Sequence, residues 1–456
     1  MLRASSKLLA TFFLAALLAG CGPKSTPDQT STEPVVTLDD ASAKLPEAAA
    51  EVVIDETGPA GTLEPDTLGP GDGANDEAWS TELPTSSADG GLVVHEWGTF
   101  TSVQGPDGLS IGGLHHEDEA LPFWVYRRNW SDPYNYFFEE LPEEPLQQLE
   151  TPVLYFYSDT KQSVKVDVSF PEGIVGQWFP DAASYSPAVG EIAAIASGAM
   201  TWDLTLVPGL DPATFVPVEP DEIWAPSRRV ASTPVEMTGP YGTVEREQFV
   251  FYRGLGMFDP PVRVTSAAGE LQITNASPDA LAAVFVLRAG TDGGTVTALG
   301  PLPAEASFEL PVPDADAPLA TYVANARAQL AEALRDTGLT DDEAQAMVDT
   351  WTRSWFGNLG LRVLYVAPRG WADALLPMEV APTPTEVVRT LVGRIEAILP
   401  EEDLALVEAL HEGKDVSPAS LGRFAEPRLR HALLQLSTPA ARERCQALLD
   451  EAHATP

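Results

Sequence analysis

His95, His115 and His116 are half of the six histidines in this 456-residue chain. They share the stretch LVVHEWGTFTSVQGPDGLSIGGLHHEDE (92–119) with Glu96, Glu117, Asp118 and Glu119. Imidazole and carboxylate together suit zinc, iron or manganese, and a metal with an open position polarises water for hydrolysis. One reading therefore places His95 on a strand, one or both of His115 and His116 in the loop that returns to it, and Glu117 or Glu119 as carboxylate ligand or base, all around a divalent transition metal. No HExxH or comparably spaced motif accompanies these residues. The other reading makes His95 a satisfied core histidine and HHEDE a solvated loop. Adjacent residues on an extended strand point to opposite faces, so His95 and Glu96 cannot both serve one site.

Gly108-Leu109-Ser110-Ile111-Gly112 matches the G-x-S-x-G expression of a hydrolase nucleophile elbow. The elbow needs a buried strand before the serine and a helix after it. Here GPDG precedes and Gly113 follows, so Ser110 is expected in a glycine-rich hairpin loop. The segment FWVYRRNWSDPYNYFF (123–138) packs eight of the 37 aromatic residues into sixteen positions. Trp124, Tyr126, Trp130 and Tyr134 beside Arg127 could stack on and hydrogen-bond a sugar ring, as an envelope glycan would require. The same rings could instead anchor a long irregular segment to a sheet. Trp351 and Trp355, four apart on an expected helix, read as core. DGANDE near Asp72 lacks the alternating acidic positions and closing Glu of a calcium loop.

The elements that must position these residues begin with an address. Met1 to Ala10 carries Arg3 and Lys7, and the apolar run Leu8–Leu18 is too short to span a bilayer as a helix but suits a signal-peptide core. The run ends in Leu18-Ala19-Gly20-Cys21, which resembles the lipobox of bacterial lipoproteins. That resemblance implies cleavage after residue 20, lipidation of Cys21 and a membrane anchor of several acyl chains. Gly22 in place of Asp implies, by the same resemblance, sorting to the outer membrane of the cell envelope. Residues 21–90 are dense in Asp, Glu, Pro, Gly and Ser and hold no sustained apolar period. They cannot bury enough surface to offset their ordering entropy and are expected to form a disordered acidic tether. Its root-mean-square reach is about 45 Å.

The charge balance is 67 Asp plus Glu against 27 Lys plus Arg, a formal net charge of −40. Such a surface repels phosphates, which excludes nucleic acid as a partner. With Cys21 lipidated, Cys445 has no disulfide partner, so an extracytoplasmic fold must be held by its core.

From Leu92 the pattern is one of short strands. VKVDVSF alternates strictly, and VVHEWGTFTSV, PVLYFYS, MTWDLTLV, REQFVFYRG, ELQITN, LAAVFVLR, TVTAL and SFELPV follow the same style between turn signals. Strands without intervening helices predict one or more antiparallel β-sandwiches over 91–313. From 314 to 456 the period changes to a mainly helical region with two strands, RVLYVAP and ALLPMEVAP. Helices are expected from Pro318 to Asp336, from a Thr340/Glu343 capping box through Trp355, from Thr383 along an apolar stripe to Ile398, and from Pro439 onward. The fold class is thus mainly β with a helical C-terminal part.

HEWGTFTSV, together with TPVLYFYS, FYRGLG, LRVLYVAP, VVRTLVGRIE and GRFAEPRLR, resembles a family of uncharacterised exported bacterial proteins over most of 92–430. The resemblance implies export and a single fold, and it brings no reaction, cofactor or catalytic residue. Function on this reading is that of a membrane-anchored envelope lipoprotein binding or scaffolding a glycan or protein. A metal-dependent hydrolase built on His95, His115, His116 and Glu117 is the alternative, so whether the chain is an enzyme stays open.

Overall fold

A twelve-residue strand whose every side chain is buried, Val93–Gln104, lies at the centre of the molecule. The computed structural model describes residues 35–37, 91–114, 120–128, 147–188, 195–239 and 242–454, all within one unit, Pro34–Pro456. The first strands are β1 (Val35–Thr37), β2 (Val93–Gln104), β3 (Tyr126–Arg127), β4 (Gln147–Tyr157), β5 (Gln162–Phe170), β6 (Gly173–Phe179), β7 (Ser184–Ser186) and β8 (Gly198–Leu206). After a single helical turn, α1 (Ala225–Arg228), come β9 (Val235–Thr238), β10 (Val244–Glu247), β11 (Val250–Gly256), β12 (Val262–Ala267), β13 (Glu270–Asn275), β14 (Leu281–Ala289), β15 (Gly293–Leu302), β16 (Ser307–Pro311) and β17 (Ala317–Pro318). The rest comprises α2 (Leu319–Asp336), α3 (Asp341–Thr352), β18 (Gly360–Val366), α4 (Arg369–Leu375), β19 (Met378–Ala381), β20 (Glu386–Ala397), α5 (Pro400–Glu412), α6 (Pro418–Leu421), α7 (Ala425–Gln435) and α8 (Pro439–Ala454).

Ten strands form the main sheet in the order β17-β15-β14-β18-β20-β2-β4-β11-β6-β3. A six-stranded sheet has the order β10-β9-β8-β5-β19 with β7 on β8, and a four-stranded one the order β1-β16-β13-β12. One face of the main sheet packs on both smaller sheets through Phe100, Phe156, Trp202, Val264, Phe308 and Ile395. The opposite face is covered by α2 and α3, where Trp97, Tyr155, Leu330, Met347 and Trp355 meet. Alternation makes this possible: along β5, Val164, Val166, Val168 and Phe170 are buried while Ser163 and Lys165 face solvent. The fold is therefore mainly β, layered and largely antiparallel, with helices gathered toward the C-terminus.

One expectation needs correction. The helix expected from Thr383 to Ile398 is the strand β20. Its pairs Val387–Val388 and Leu391–Val392 resemble a helical stripe, but β20 is buried on both faces. Leu391 and Ile395 enter one core and Val388 and Val392 the other. Periodicity alone cannot separate such a strand from a buried helix. The sequence pattern leaves open whether the strands after 313 complete the sheets before it, and the structure answers that they do. β18 and β20 join the main sheet, β20 pairing in parallel with β2 along twelve positions, and β19 pairs with β5 in the six-stranded sheet. The segment read as a tether contributes the strand β1, parallel to β16; the rest of 21–90, Cys21 and the signal-peptide segment lie outside the described residues. Among the described residues no helix is long and apolar enough to cross a membrane.

The last helices close over their own core of Leu410, Leu429, Ala441 and Cys445. The Cys445 thiol donates to the Leu429 carbonyl at 3.3 Å, and burial pushes its pKa up to about 11. It is an inert core thiol.

Candidate functional site

β2 carries the first of the sequence-predicted chemical groups, and its place between β20 and β4 fixes where they point. The chains approach so closely at Gly98 that a Cβ there would lie 2.7 Å from Leu391 Cδ2 and 2.8 Å from the Thr151 carbonyl oxygen. Only glycine fits this crossing, and its neighbours in the HEWG motif are held rigidly by it.

His95 faces the helical layer. Its Nδ1 lies 2.9 Å from Glu343 Oε2 and 3.1 Å from Oε1. Glu343 is the third residue of α3 and completes the expected capping box: it accepts from the Thr340 backbone N–H at 2.8 Å, while Thr340 Oγ1 accepts from the Glu343 N–H at 3.2 Å. Tyr157 Oη, one strand over on β4, donates to Glu343 Oε1 at 2.7 Å, and its ring meets the His95 ring edge-on. Burial, then the Glu343 charge, holds the Tyr157 hydroxyl well above its ordinary pKa. One fully buried carboxylate thus serves a helix cap, a tyrosine and a histidine. His95 Nε2 is buried and has no hydrogen-bond partner among the described residues.

Glu96 faces the other way, as alternation requires. Tyr252 Oη donates to its Oε1 at 2.7 Å and Arg389 Nε to its Oε2. Glu96 and Arg389 are directly opposed on β2 and β20, and Arg389 Nη1 continues to Asp373 Oδ1 at 2.9 Å. Desolvation lowers the Arg389 pKa, but Glu96 more than compensates and holds the guanidinium above its ordinary value. Burial, then Glu96, raises the Tyr252 hydroxyl.

Beyond the apolar patch under α2 and α3, the helix-side face of the main sheet turns polar. Gln177 stands two residues from Phe179, Arg253 two from Phe251, Arg394 two from Val392 and Arg362 two from Leu364, each on the same face as its apolar neighbour. Arg253 donates to Gln177 Oε1, Arg423 to Glu150, and Glu396 Oε1 accepts from Arg394 Nε at 2.7 Å and Arg362 Nε at 2.9 Å. Glu150, Arg253, Trp224 and Trp351 border a recess of about 20 Å³, room for a water.

The aromatic segment stands beside this face. Trp124 packs edge-on against Phe179 at 4.5 Å and Trp224 at 4.9 Å between ring centres. Tyr126 lies parallel to Trp178 and Phe179 and donates to Glu245. Arg127 Nη2 donates to the Leu121 carbonyl at 3.3 Å. Trp124 and Tyr126 thus pack on the protein's own rings, and Tyr126 gives its hydroxyl to Glu245. Trp130 and Tyr134 lie outside the described residues, as do His115, His116 and Glu117. Ser110 makes an isolated bridge to Gln104, which puts it in the loop after β2.

A larger recess lies elsewhere, between α1 and α3. It has a volume of about 370 Å³, within the size range of ligand sites. Pro226 and Ala231 form one wall. Asp342, Gln345, Ala346 and Asp349 form the other, spaced i, i+3, i+4 and i+7 along the outer stripe of α3. At one end Asp349 accepts from Arg229 at 2.7 Å, from Gln345 Nε2 at 2.6 Å and from Arg327. At the other end burial raises the Asp342 pKa, against the Ala231 backbone hydrogen bond that lowers it. Neither this cleft nor the partners of His95 and Glu96 were visible in the pattern of residues. The capping box placed Glu343 at a helix start, which was the one available signal.

Among the described residues no group of three or more His, Cys, Asp or Glu side chains could hold a metal ion. No family model and no curated protein matches the chain. Among solved structures, the yeast delta-COP-I mu-homology domain complexed with a Dsl1 WxWxV peptide is similar at 8% identity, covering 68% of this chain and 96% of that one, with a TM-score of 0.24. A second structure of that domain gives 10% identity, the same coverage and a TM-score of 0.23. A likeness at that level carries no argument about fold or function.

Proposed function

We propose that the chain is a membrane-anchored lipoprotein of the bacterial cell envelope, held through lipid on Cys21, that binds or scaffolds an extracytoplasmic partner. The observation that supports binding is the 370 Å³ cleft between α1 and α3. By contrast, both sequence-predicted groups on β2 are buried and engaged in internal contacts, His95 with Glu343 and Glu96 with Arg389. A photo-crosslinking residue in place of Gln345, in the full chain expressed in cells, tests the reading. A discrete adduct that depends on illumination is expected, and labelled palmitate should enter the native chain but not a Cys21→Ala variant. Absence of an adduct from Gln345 and from a scan of exposed positions, including Phe123 and Leu434, would overturn it.

A glycan remains the finer form of this reading, with Trp130 and Tyr134 as its contacts beside Trp124, Tyr126 and Arg127. Tryptophan fluorescence titrated with cell-wall and capsular glycans tests it, and an unchanged spectrum across all of them removes it.

One observation favours the second reading, a metal-dependent hydrolase. His95 presents Nδ1 to a carboxylate and leaves Nε2 without a partner among the described residues, the arrangement in which a carboxylate orients a metal-ligating imidazole from behind. His115, His116 and Glu117 would have to supply the remaining ligands. Elemental analysis of purified protein decides it: less than about a tenth of an equivalent of any transition metal, for a site that needs a full one, ends this reading.

A further inference from the structure

The α1–α3 cleft is electrically divided. Asp349 is shared by two guanidinium groups, Arg229 and Arg327, so that end carries one net positive charge. Gln345, which also lines the cleft, gives its amide to the same carboxylate. Asp342, at the opposite end, makes no ion pair among the described residues, whereas its neighbour Asp341 pairs with Arg335 and Glu343 turns into the core toward His95. Ala346, Ala231 and Pro226 line the space between with small apolar surface. Seven residues separate Asp342 from Asp349 on a regular helix, so the two charged ends stand about 10 Å apart at 1.5 Å per residue.

Resting on the binding reading above, we propose that this cleft takes a short peptide with both termini free, its ammonium group at Asp342 and its carboxylate at Arg229. Three residues of extended chain span about 10 Å, which matches the separation of the ends. The α-ammonium group is mostly protonated at neutral pH. Small residues on the floor leave room for backbone and short side chains. A longer or blocked chain would meet the wrong charge, or none, at one end.

The test uses trialanine, N-acetyl-trialanine and trialanine amide as probes of the full chain, with affinities measured by saturation-transfer NMR. Trialanine should bind, and blocking either terminus should weaken it about tenfold or more, the loss of one charge-assisted hydrogen bond. Asp342→Asn should abolish the preference for a free amine, and Arg229→Gln the preference for a free carboxylate. Asp341→Asn, outside the lining, should change neither. Equal binding of all three probes, no binding of trialanine, or an Asp341→Asn effect as large as that of Asp342→Asn would each overturn the proposal. Circular dichroism of each variant separates these outcomes from misfolding. A photo-crosslinked adduct at Gln345 in a chain that binds no trialanine would leave the binding role standing while removing the peptide.

Discussion

His95 and Glu343 stand 248 positions apart in the chain and meet at 2.9 Å in the core. The contact ties the central strand β2 to the first turn of α3. It is one of the polar contacts between sheet and helical layer, beside Thr337 Oγ1 to Thr390 Oγ1 at 2.7 Å. Because Glu343 also caps α3 and accepts from Tyr157, its loss leaves three donors without an acceptor. Glu343→Ala should cost about 3–5 kcal/mol, the range for breaking a buried polar network. Thr340→Ala, which removes only half of the capping box, should cost about 1 kcal/mol. Urea unfolding midpoints measure both, and a Glu343→Ala loss no greater than that of Thr340→Ala would show that the network does not hold the layers together.

Glu96 and Arg389 are both nearly inaccessible to solvent. Removing the carboxylate alone strands a buried guanidinium, so Glu96→Ala should destabilise by about 3–5 kcal/mol. Replacing both partners with apolar residues of similar volume, Glu96→Leu with Arg389→Met, should recover much of that loss, because no charge is left buried. The remaining contact of Arg389 to the more exposed Asp373 contributes little in comparison. A double-mutant cycle in denaturant reads the coupling, and additive losses would contradict it.

His431 on α7 lies 3.4 Å from Asp403 on α5. The hydrogen bond to Asp403 raises the His431 pKa against the desolvation that lowers it, with Asp107 adding to the rise. Asp403 is pushed upward by burial, but His431 and Gln435 hold it below its ordinary value overall. A raised histidine stabilises the fold fully below its unfolded pKa near 6.5, and that stability disappears as pH climbs through the higher folded value. The Asp403 share is present above the carboxylate's unfolded value and is lost as pH falls through the lower folded one. The contribution of this pair is therefore greatest in mildly acidic solution, on the order of 1 kcal/mol for a partly buried pair. Thermal melts of native protein and His431→Gln at pH 6 and pH 9 should differ more at pH 6, and a constant difference would argue against the linkage.

Trp124 stands among Phe179 and Trp224, whereas its neighbour Phe123 is 84% exposed. Trp124→Ala should cost about 2–3 kcal/mol, less than the 3–5 of a fully buried ring. Phe123→Ala should stay within about 0.5 kcal/mol of the native protein. Equal effects of the two substitutions on the unfolding midpoint would mean that the aromatic segment is not anchored where its rings meet the sheet.

Local pattern was enough for much of this molecule. The alternation in VKVDVSF, the turn signals between short runs and the Thr340/Glu343 box correspond to β5, the hairpins and α3, because each depends on neighbours a few residues away. The lipobox resemblance at Cys21 and the acidic composition are likewise properties of sequence. They remain expectations about an address and a tether, since apart from β1 those residues lie outside the described structure.

Only the tertiary structure decided what β20 is and where the β2 side chains go. Arg389, Arg394 and Glu396 are poor residues for a buried strand until Glu96 and Arg362 stand opposite them, and those partners come from other parts of the chain. Buried charges are tolerated only when paired, so the identity of the strand and of its neighbours is settled together. The same holds for His95, whose adjacency to Glu96 said that the two must diverge but not toward what. Long-range pairing selected Glu343 for one and Arg389 for the other, and it placed the ligand-sized cleft on the outer stripe of a helix whose inner face had been read only as core.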